Sequence, residues 1–297
     1  MTDAAGRLGA PASDGLIYSL VLELAPRREA TLGPTQGYHA HALVLQVLQE
    51  RDPELARELH DQPGPKPFTV SPLRGRFGRR GSNLWLSPAE VYWLRLTLLR
   101  DDVLARLLDA LIHLPAELDL RLESAAFGLR RIVTTPGQSE WAGFSSTEML
   151  LAQARPERRL RLAFCSPTAF RSAGQRNVPL PLPGLVFGSL LAKWNEFAPT
   201  RLPEGLRAVA DEGLLVARYR LETRMLDFGR YREVGFEGIC EYECAEGVSA
   251  EAAAQLGALA DFAFYAGVGA KTAMGMGQAR RVAGGPRRAP ASGGSRD

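Results

Sequence analysis

The stretch SAEAAAQLGALADFAFYAGVGAKTAMGMGQARRVA, Ser249 to Ala283, decides how the chain is read. Ser249 can accept a hydrogen bond from the first free amides of a helix, and Glu251 adds negative charge to its first turn. An alanine- and leucine-rich helix therefore runs to Ala266. Four glycines follow within eleven residues (Gly267, Gly269, Gly275 and Gly277), with Lys271 and Thr272 between the pairs. QARRVA then reads as a short strand. The order helix, glycine loop, strand excludes two familiar nucleotide cradles. A Walker loop follows a buried strand and ends on Gly-Lys-Ser/Thr, whereas Lys271-Thr272 precedes the second glycine pair. A Rossmann loop opens a helix, and this one closes a helix. Glycines at this density let a backbone lie close against a partner with its amides turned outward. A phosphate is the first candidate for that partner, and the rest of the chain must say what bears it.

Working outward, RRLRLAFCSP is a strand and LPLPGLVFGSLLAKWNEF a helix entered through prolines. LLVARYRLETRML and REVGFEGICEYEC are two strands close in sequence. In the second, Val234, Phe236, Gly238, Cys240, Tyr242 and Cys244 alternate with Gly235, Glu237, Ile239, Glu241 and Glu243, as in a half-buried antiparallel strand. The second half thus reads β-α-β-β-α-β. In the first half, IYSLVLEL is a strand, and YHAHALVLQVLQE carries apolar residues at helical spacing. DPELARELHD opens a second helix in the order N-cap Asp52, Pro53. KPFTVSPLRGRFG is extended, EVYWLRLTLL a strand, DDVLARLLDALIHL an amphipathic helix, and LDLRLESAAFGLRRIVTT one bent strand or a pair. That is β-α-β-β-α-β again. The fold class expected is α+β, with two tandem ferredoxin-like domains of the RNA-recognition-motif type. The boundaries expected are a disordered N-terminus at 1–14, domains at 15–138 and 139–283, and a disordered tail at 284–297.

The 297 residues, 45% hydrophobic and 23% charged, describe a soluble globular chain without a membrane-spanning run. MTDAAGRLGAPASDG lacks the basic start and apolar core of a signal peptide. Three cysteines fit a reducing cytoplasm. The net charge is +3, almost all of it from arginine, since Lys66, Lys193 and Lys271 are the only lysines. Arginines cluster at Arg74–Arg80 and recur at Arg130, Arg131, Arg155, Arg158, Arg159, Arg161, Arg171 and Arg176. Guanidinium groups grip phosphates and stack on bases, so the pattern points to nucleic acid.

ADFAFYAGVGAKTAMGMGQAR resembles the C-terminal glycine-rich signature of the CRISPR-associated (Cas) endoribonucleases that process precursor CRISPR RNA. These form the sixth Cas family, within the repeat-associated RNA-binding superfamily. HALVLQVLQERDPELARELHD, KPFTVSPL and LAFCSPTAFRSAGQRNVPLPLPGLVFGSLLAKWNEF agree with it in the same order, covering most of residues 38 to 281. The resemblance implies cleavage of CRISPR repeat RNA without metal or cofactor. The 2′-hydroxyl attacks the adjacent phosphorus, leaving 2′,3′-cyclic phosphate and 5′-hydroxyl ends. The alternative is a subunit that holds crRNA in an effector complex without cutting it. Relatives often dimerise, so a homodimer and an effector association are further expectations.

Such chemistry needs a base, an acid and positive charge at the phosphorane, and histidine suits either proton role. His60 and His113 end helices. His39 and His41, two positions apart at the head of a helix, point to nearly opposite sides, so one of them can face a site. The family's catalytic histidine precedes an apolar helix eleven positions before an Asp-Pro step. His41 stands at that distance from Asp52, so the resemblance assigns it the role, with His39 the second candidate and Tyr38 beside them to orient the phosphate. It implies RNA contacts at Gly267, Gly269, Lys271 and Thr272, with Arg74, Arg76, Arg79, Arg80 and Arg171 as basic contacts. The family's lysine near the histidine has no counterpart close to His41 in sequence. Arg74, Arg76 or Lys271 is expected to supply that charge. No metal site is expected: the acidic residues sit on helix exteriors, and Cys240 and Cys244 lack a second ligand pair.

Overall fold

The computed structural model describes residues 15–115, 118–171, 176–229 and 231–283. The disorder expected at 1–14 and 284–297 lies outside them.

In the first domain, β1 (Leu16–Pro26) leads into α1 (Gly37–Gln49) and α2 (Pro53–Asp61). β2 (Phe68–Val70), β3 (Tyr92–Leu98), α3 (Asp101–Ile112) and β4 (Ala125–Val133) follow. β1 lies between β3 and β4, and β2 pairs with the far side of β3, all antiparallel. The order β2-β3-β1-β4 is that of a ferredoxin-like sheet. Local chemistry sets the helix starts. Asp52 accepts from the Leu55 amide at 2.9 Å, with Pro53 in the first turn, and two aspartates open α3. Ala40, Leu43, Val44, Val47 and Leu48 of α1 are buried against this sheet.

The second domain begins with β6 (Arg159–Thr168) and α5 (Pro183–Phe197). α6 (Leu206–Gly213), β7 (Leu214–Asp227), β8 (Arg232–Cys244), α7 (Ala250–Ala266) and β9 (Ala279–Arg281) complete it. Its sheet has the order β7-β8-β6-β9, the ferredoxin order once more. Phe187, Leu190, Leu191 and Trp194 of α5 and Leu256, Leu259 and Phe262 of α7 cover one face. Phe236, Cys240, Tyr242 and Cys244 of β8 are buried, as the alternation expects, but Glu233 is buried as well. Ser249 caps α7 by accepting from the Ala252 amide at 3.1 Å.

Between the two, β5 (Gly143–Ser146) pairs with the start of β1, and α4 (Thr147–Gln153) follows it. This strand lies beyond the boundary read at residue 138, yet it extends the first sheet. Further features have no counterpart in the sequence reading, among them α6 and a small sheet in which Asn83–Leu86 pairs with both Ala30–Leu32 and the arginine-bearing Gly78–Arg80. Among the described residues no helix is long and apolar enough to cross a membrane.

Polar groups tie the domains together. Arg95 of β3 is 1% exposed. It donates to Ser19 Oγ at 2.8 Å, to Gln278 Oε1 at 2.7 Å and to the carbonyl of Phe264, with its guanidinium 4.1 Å from the Phe264 ring. Burial pulls its pKa down to about 9, which leaves it charged at neutral pH. Gln278 in turn donates to Thr69 Oγ at 3.1 Å and to the Val70 carbonyl at 3.3 Å. A buried cation persists only where its donors are matched: here Nε meets Ser19 of the same sheet, and the two terminal nitrogens meet Gln278 and Phe264 across the interface.

Candidate functional site

The glycine loop, Gly267 to Gly277, lies where the domains meet. Its partner inside the molecule is the first turn of α1. A Cβ on Gly37 would stand 1.9 Å from the Met274 carbonyl oxygen, so only a bare backbone fits there. Gly275 faces it with φ +86°, a conformation that costs glycine little and other residues much. Lys271 adopts the left-handed region too, at φ 56°, and opens the single 3-10 turn Thr272–Met274. A non-glycine residue held there marks a constrained site.

That turn holds His41. Its Nδ1 lies 3.1 Å from the Ala273 carbonyl oxygen, and its ring stacks on Phe68 at 5.5 Å between centroids. A carbonyl only accepts, so Nδ1 carries the proton and Nε2 is left with its lone pair. Burial lowers the His41 pKa below its ordinary value. The bond to Ala273 opposes this, and the charge of Lys66 adds to it. The ring is therefore neutral at physiological pH and basic at Nε2.

His41 lines a cleft of about 460 Å³ together with Lys66, Ser189, Lys193, Lys271 and Ala273. All three lysines of the chain thus converge on one opening. Lys66, in the loop before β2, donates to the carbonyls of His60 at 2.9 Å and Gln62 at 2.6 Å, closing the end of α2. Burial lowers its pKa. Lys193 of α5 is buried and donates to the carbonyls of Ala266 and Gly267 and to Thr272 Oγ. Lys271 pairs at 2.5 Å with the buried carboxylate of Glu233, which also receives Arg171 at 2.7 Å, and it stands 4.0 Å from the Tyr231 ring centre.

Of the residues singled out from sequence, His41, Gly269, Lys271 and Thr272 line this cleft. His39 and Tyr38 do not: they stack edge-on at 5.7 Å, and Tyr38 is exposed. Gly267 is buried beneath the loop. Arg171 lines a shallower depression on the other side of Gly269 and Ala270, with Arg207. Arg74 donates to the Cys165 carbonyl at 2.5 Å and so joins the domains. Arg79 and Arg80 belong to the small-sheet hairpin and Arg76 to the segment leading into it; all three are exposed, with Arg80 3.7 Å from Glu29. Sequence reasoning missed Lys66 and Lys193. Lys66 carried no signal, but Lys193 stands three positions after Leu190 and beside Trp194, an isolated lysine on the apolar face of a helix. Among the described residues, no three His, Cys, Asp or Glu side chains group as metal ligands do.

Two ferredoxin-like domains closed by a glycine loop over a half-buried histidine define a narrow class of proteins, and comparison places the chain within it. The family profile described as "CRISPR-associated endoribonuclease Cas6" matches residues 162–279, and "CRISPR Cas6 N-terminal domain" matches residues 16–152. A Thermus thermophilus Cas6, solved as a product complex, is 33% identical with a TM-score of 0.77, the match covering 90% of this chain and 100% of that one. A second Cas6, solved with a substrate mimic, is 31% identical with a TM-score of 0.68 over 90% and 100% of the two chains. The Mycobacterium tuberculosis CRISPR-associated endoribonuclease Cas6 is 35% identical over 129 residues, which is 43% of this chain and 40% of the mycobacterial one. The chain belongs to the Cas6 family of CRISPR-associated proteins.

Proposed function

We propose that this protein is an endoribonuclease that cuts precursor CRISPR RNA within its repeat, with His41 Nε2 as the proton-transfer group. The observation that carries this reading is the anchored imidazole. Nδ1–H is fixed by Ala273, Nε2 is basic, and lysine ammonium groups surround the opening. The 2′-hydroxyl beside the scissile phosphate gives its proton to Nε2 as the O2′–P bond forms. The P–O5′ bond then breaks, and O5′ takes up a proton, leaving 2′,3′-cyclic phosphate and 5′-hydroxyl ends. Phosphorane charge needs a cation within the cleft. Lys66 fits best, because its field already reaches His41 and its bonds go to carbonyls. Lys271 is held by Glu233 and Arg74 by Cys165, so neither is as free to meet a phosphate. The exposed arc at Gly269 and Ala270, between the cleft and the Arg171 depression, lies on the path proposed for the RNA backbone. Arg76, Arg79 and Arg80 are proposed as outlying phosphate contacts. The Cas6 relatives solved with product and with substrate mimic support RNA as the ligand.

The reading is tested by incubating the protein with an end-labelled repeat transcript in excess chelator and identifying both new ends. Cyclic phosphate and 5′-hydroxyl ends are expected. Ends carrying a 5′-phosphate, or cutting only with added magnesium, would overturn it. Binding of the transcript without cutting would favour the alternative, a crRNA-holding subunit.

A further inference from the structure

Lys193 is a buried lysine whose partners are not acidic. Its side chain comes from the middle of α5, with Leu190, Leu191, Trp194 and Asn195 around it on the buried face of the helix. From there Nζ reaches the glycine loop. It lies 2.9 Å from the Ala266 carbonyl, 3.0 Å from the Gly267 carbonyl and 3.2 Å from Thr272 Oγ. An ammonium has three donors, and three acceptors meet them. The first two are carbonyls at the end of α7, where a cation is favoured by the helix dipole and satisfies groups that helical bonds leave open. The third belongs to the residue before Ala273, whose carbonyl holds His41. A continuous run of contacts therefore leads from α5 of the second domain, through the loop, to the imidazole of the first. A buried amine without a carboxylate is expensive, and a methionine of similar length would pack there more cheaply. Its place here points to a role other than stability.

We infer that Lys193 is a positioning residue that locks the end of α7 to the 3-10 turn and thereby fixes the rotamer and tautomer of His41. This rests on the proposed role of His41 in cleavage, but the lock itself is a property of the unliganded protein. Lys193 sets the orientation of Thr272 and hence of the Ala273 carbonyl. Without it the turn keeps its glycines but loses its anchor, and Nδ1 loses a fixed acceptor.

The test has two readouts on wild type, Lys193→Met, Lys193→Arg and Thr272→Val. The first is the ring nitrogen spectrum of His41 in protein labelled with 15N-histidine. The second is single-turnover cleavage of a repeat transcript, alongside its dissociation constant. In wild type the His41 ring is expected as the Nδ1–H tautomer. In Lys193→Met it becomes a mixture of tautomers, and cleavage falls by about 100-fold, the scale expected of a misplaced catalytic group. RNA affinity stays within about threefold, and Lys193→Arg, which keeps donors at that position, recovers part of the rate. Thr272→Val moves both readouts the same way more weakly, and serves if the methionine variant does not fold. An unchanged His41 tautomer in both variants would overturn the inference, as would a fall in RNA affinity matching the fall in rate. If His41→Ala cleaves normally, the catalytic reading fails, while the tautomer measurement still decides whether Lys193 sets the ring.

Discussion

Burial lowers the pKa values of His41, Lys66 and Lys193 in the cleft, and the first and last of these give tests in solution. The base form of His41 therefore persists below its ordinary value of 6.5. Protonation removes the Nε2 lone pair, and the acid limb of the single-turnover pH–rate profile is expected to fall below pH 6.5. A limb above that value would assign the proton transfer to another group. Burial also holds Lys193 down to about 7 from an ordinary 10.5. Between those values the unfolded chain binds a proton that the folded one does not, so stability rises with pH across this window and is lost as pH falls back toward 7. The Lys193→Met variant lacks the effect. Denaturant unfolding at several pH values should show wild type gaining on it as the pH rises above 7. Lys193 shares its cleft with His41, Lys66 and Lys271, and its own bonds go to carbonyls and a hydroxyl. A parallel pair of curves would mean the amine titrates as in water. Little of this was legible in sequence. A lysine three residues after Leu190 announces an unusual burial without naming its acceptors, and Lys66, 25 residues after His41, announces nothing.

At the scale of elements, the sequence was most legible where capping and periodicity agreed. The strands at β3 and β8 and the helices at α1, α3 and α7 fall within a few residues of where apolar spacing puts them. The exceptions are short pieces whose existence depends on tertiary pairing. β5 has four residues and is a strand because β1 overhangs β4 by enough to hold it. The three-stranded small sheet likewise depends on Ala30–Leu32, distant in sequence, pairing with the local hairpin of Gly78–Arg80 and Asn83–Leu86. The contact between α1 and the glycine loop belongs to this scale. Gly37→Ala places a methyl against the Met274 carbonyl, and overpacking of this kind costs about 1–3 kcal/mol. The expected outcome is a lower melting temperature together with a loss of cleavage greater than the loss of RNA binding, because Ala273 moves with Met274. Wild-type melting and cleavage would show that the loop and helix are not in the contact described.

For the molecule as a whole, the repeated β-α-β-β-α-β order revealed two domains of one kind, but not how they meet. Burial of Arg95 between them could not be anticipated, since an arginine in EVYWLRLTLL reads as the exposed position of an alternating strand. Its acceptors in the other domain, Phe264 and Gln278, lie more than 160 residues away. Arg95→Met leaves those neutral acceptors buried without a donor, a change that typically costs about 1–3 kcal/mol for each group left unsatisfied. Calorimetry should then show the two domains melting separately where the wild type melts in one transition. A single unshifted transition would mean that the interface is held by packing alone. The cleft exists only because both domains contribute to it, α1 from one and the loop with α5 from the other.

The most direct test is of His41 itself. Single-turnover cleavage of a labelled repeat transcript by His41→Ala, in chelator and at saturating protein, should be slower than wild type by about 100-fold or more, the range for loss of a general acid–base group. The dissociation constant should stay within a few-fold, and His39→Ala should cut at the wild-type rate. Wild-type cleavage by His41→Ala would contradict the account.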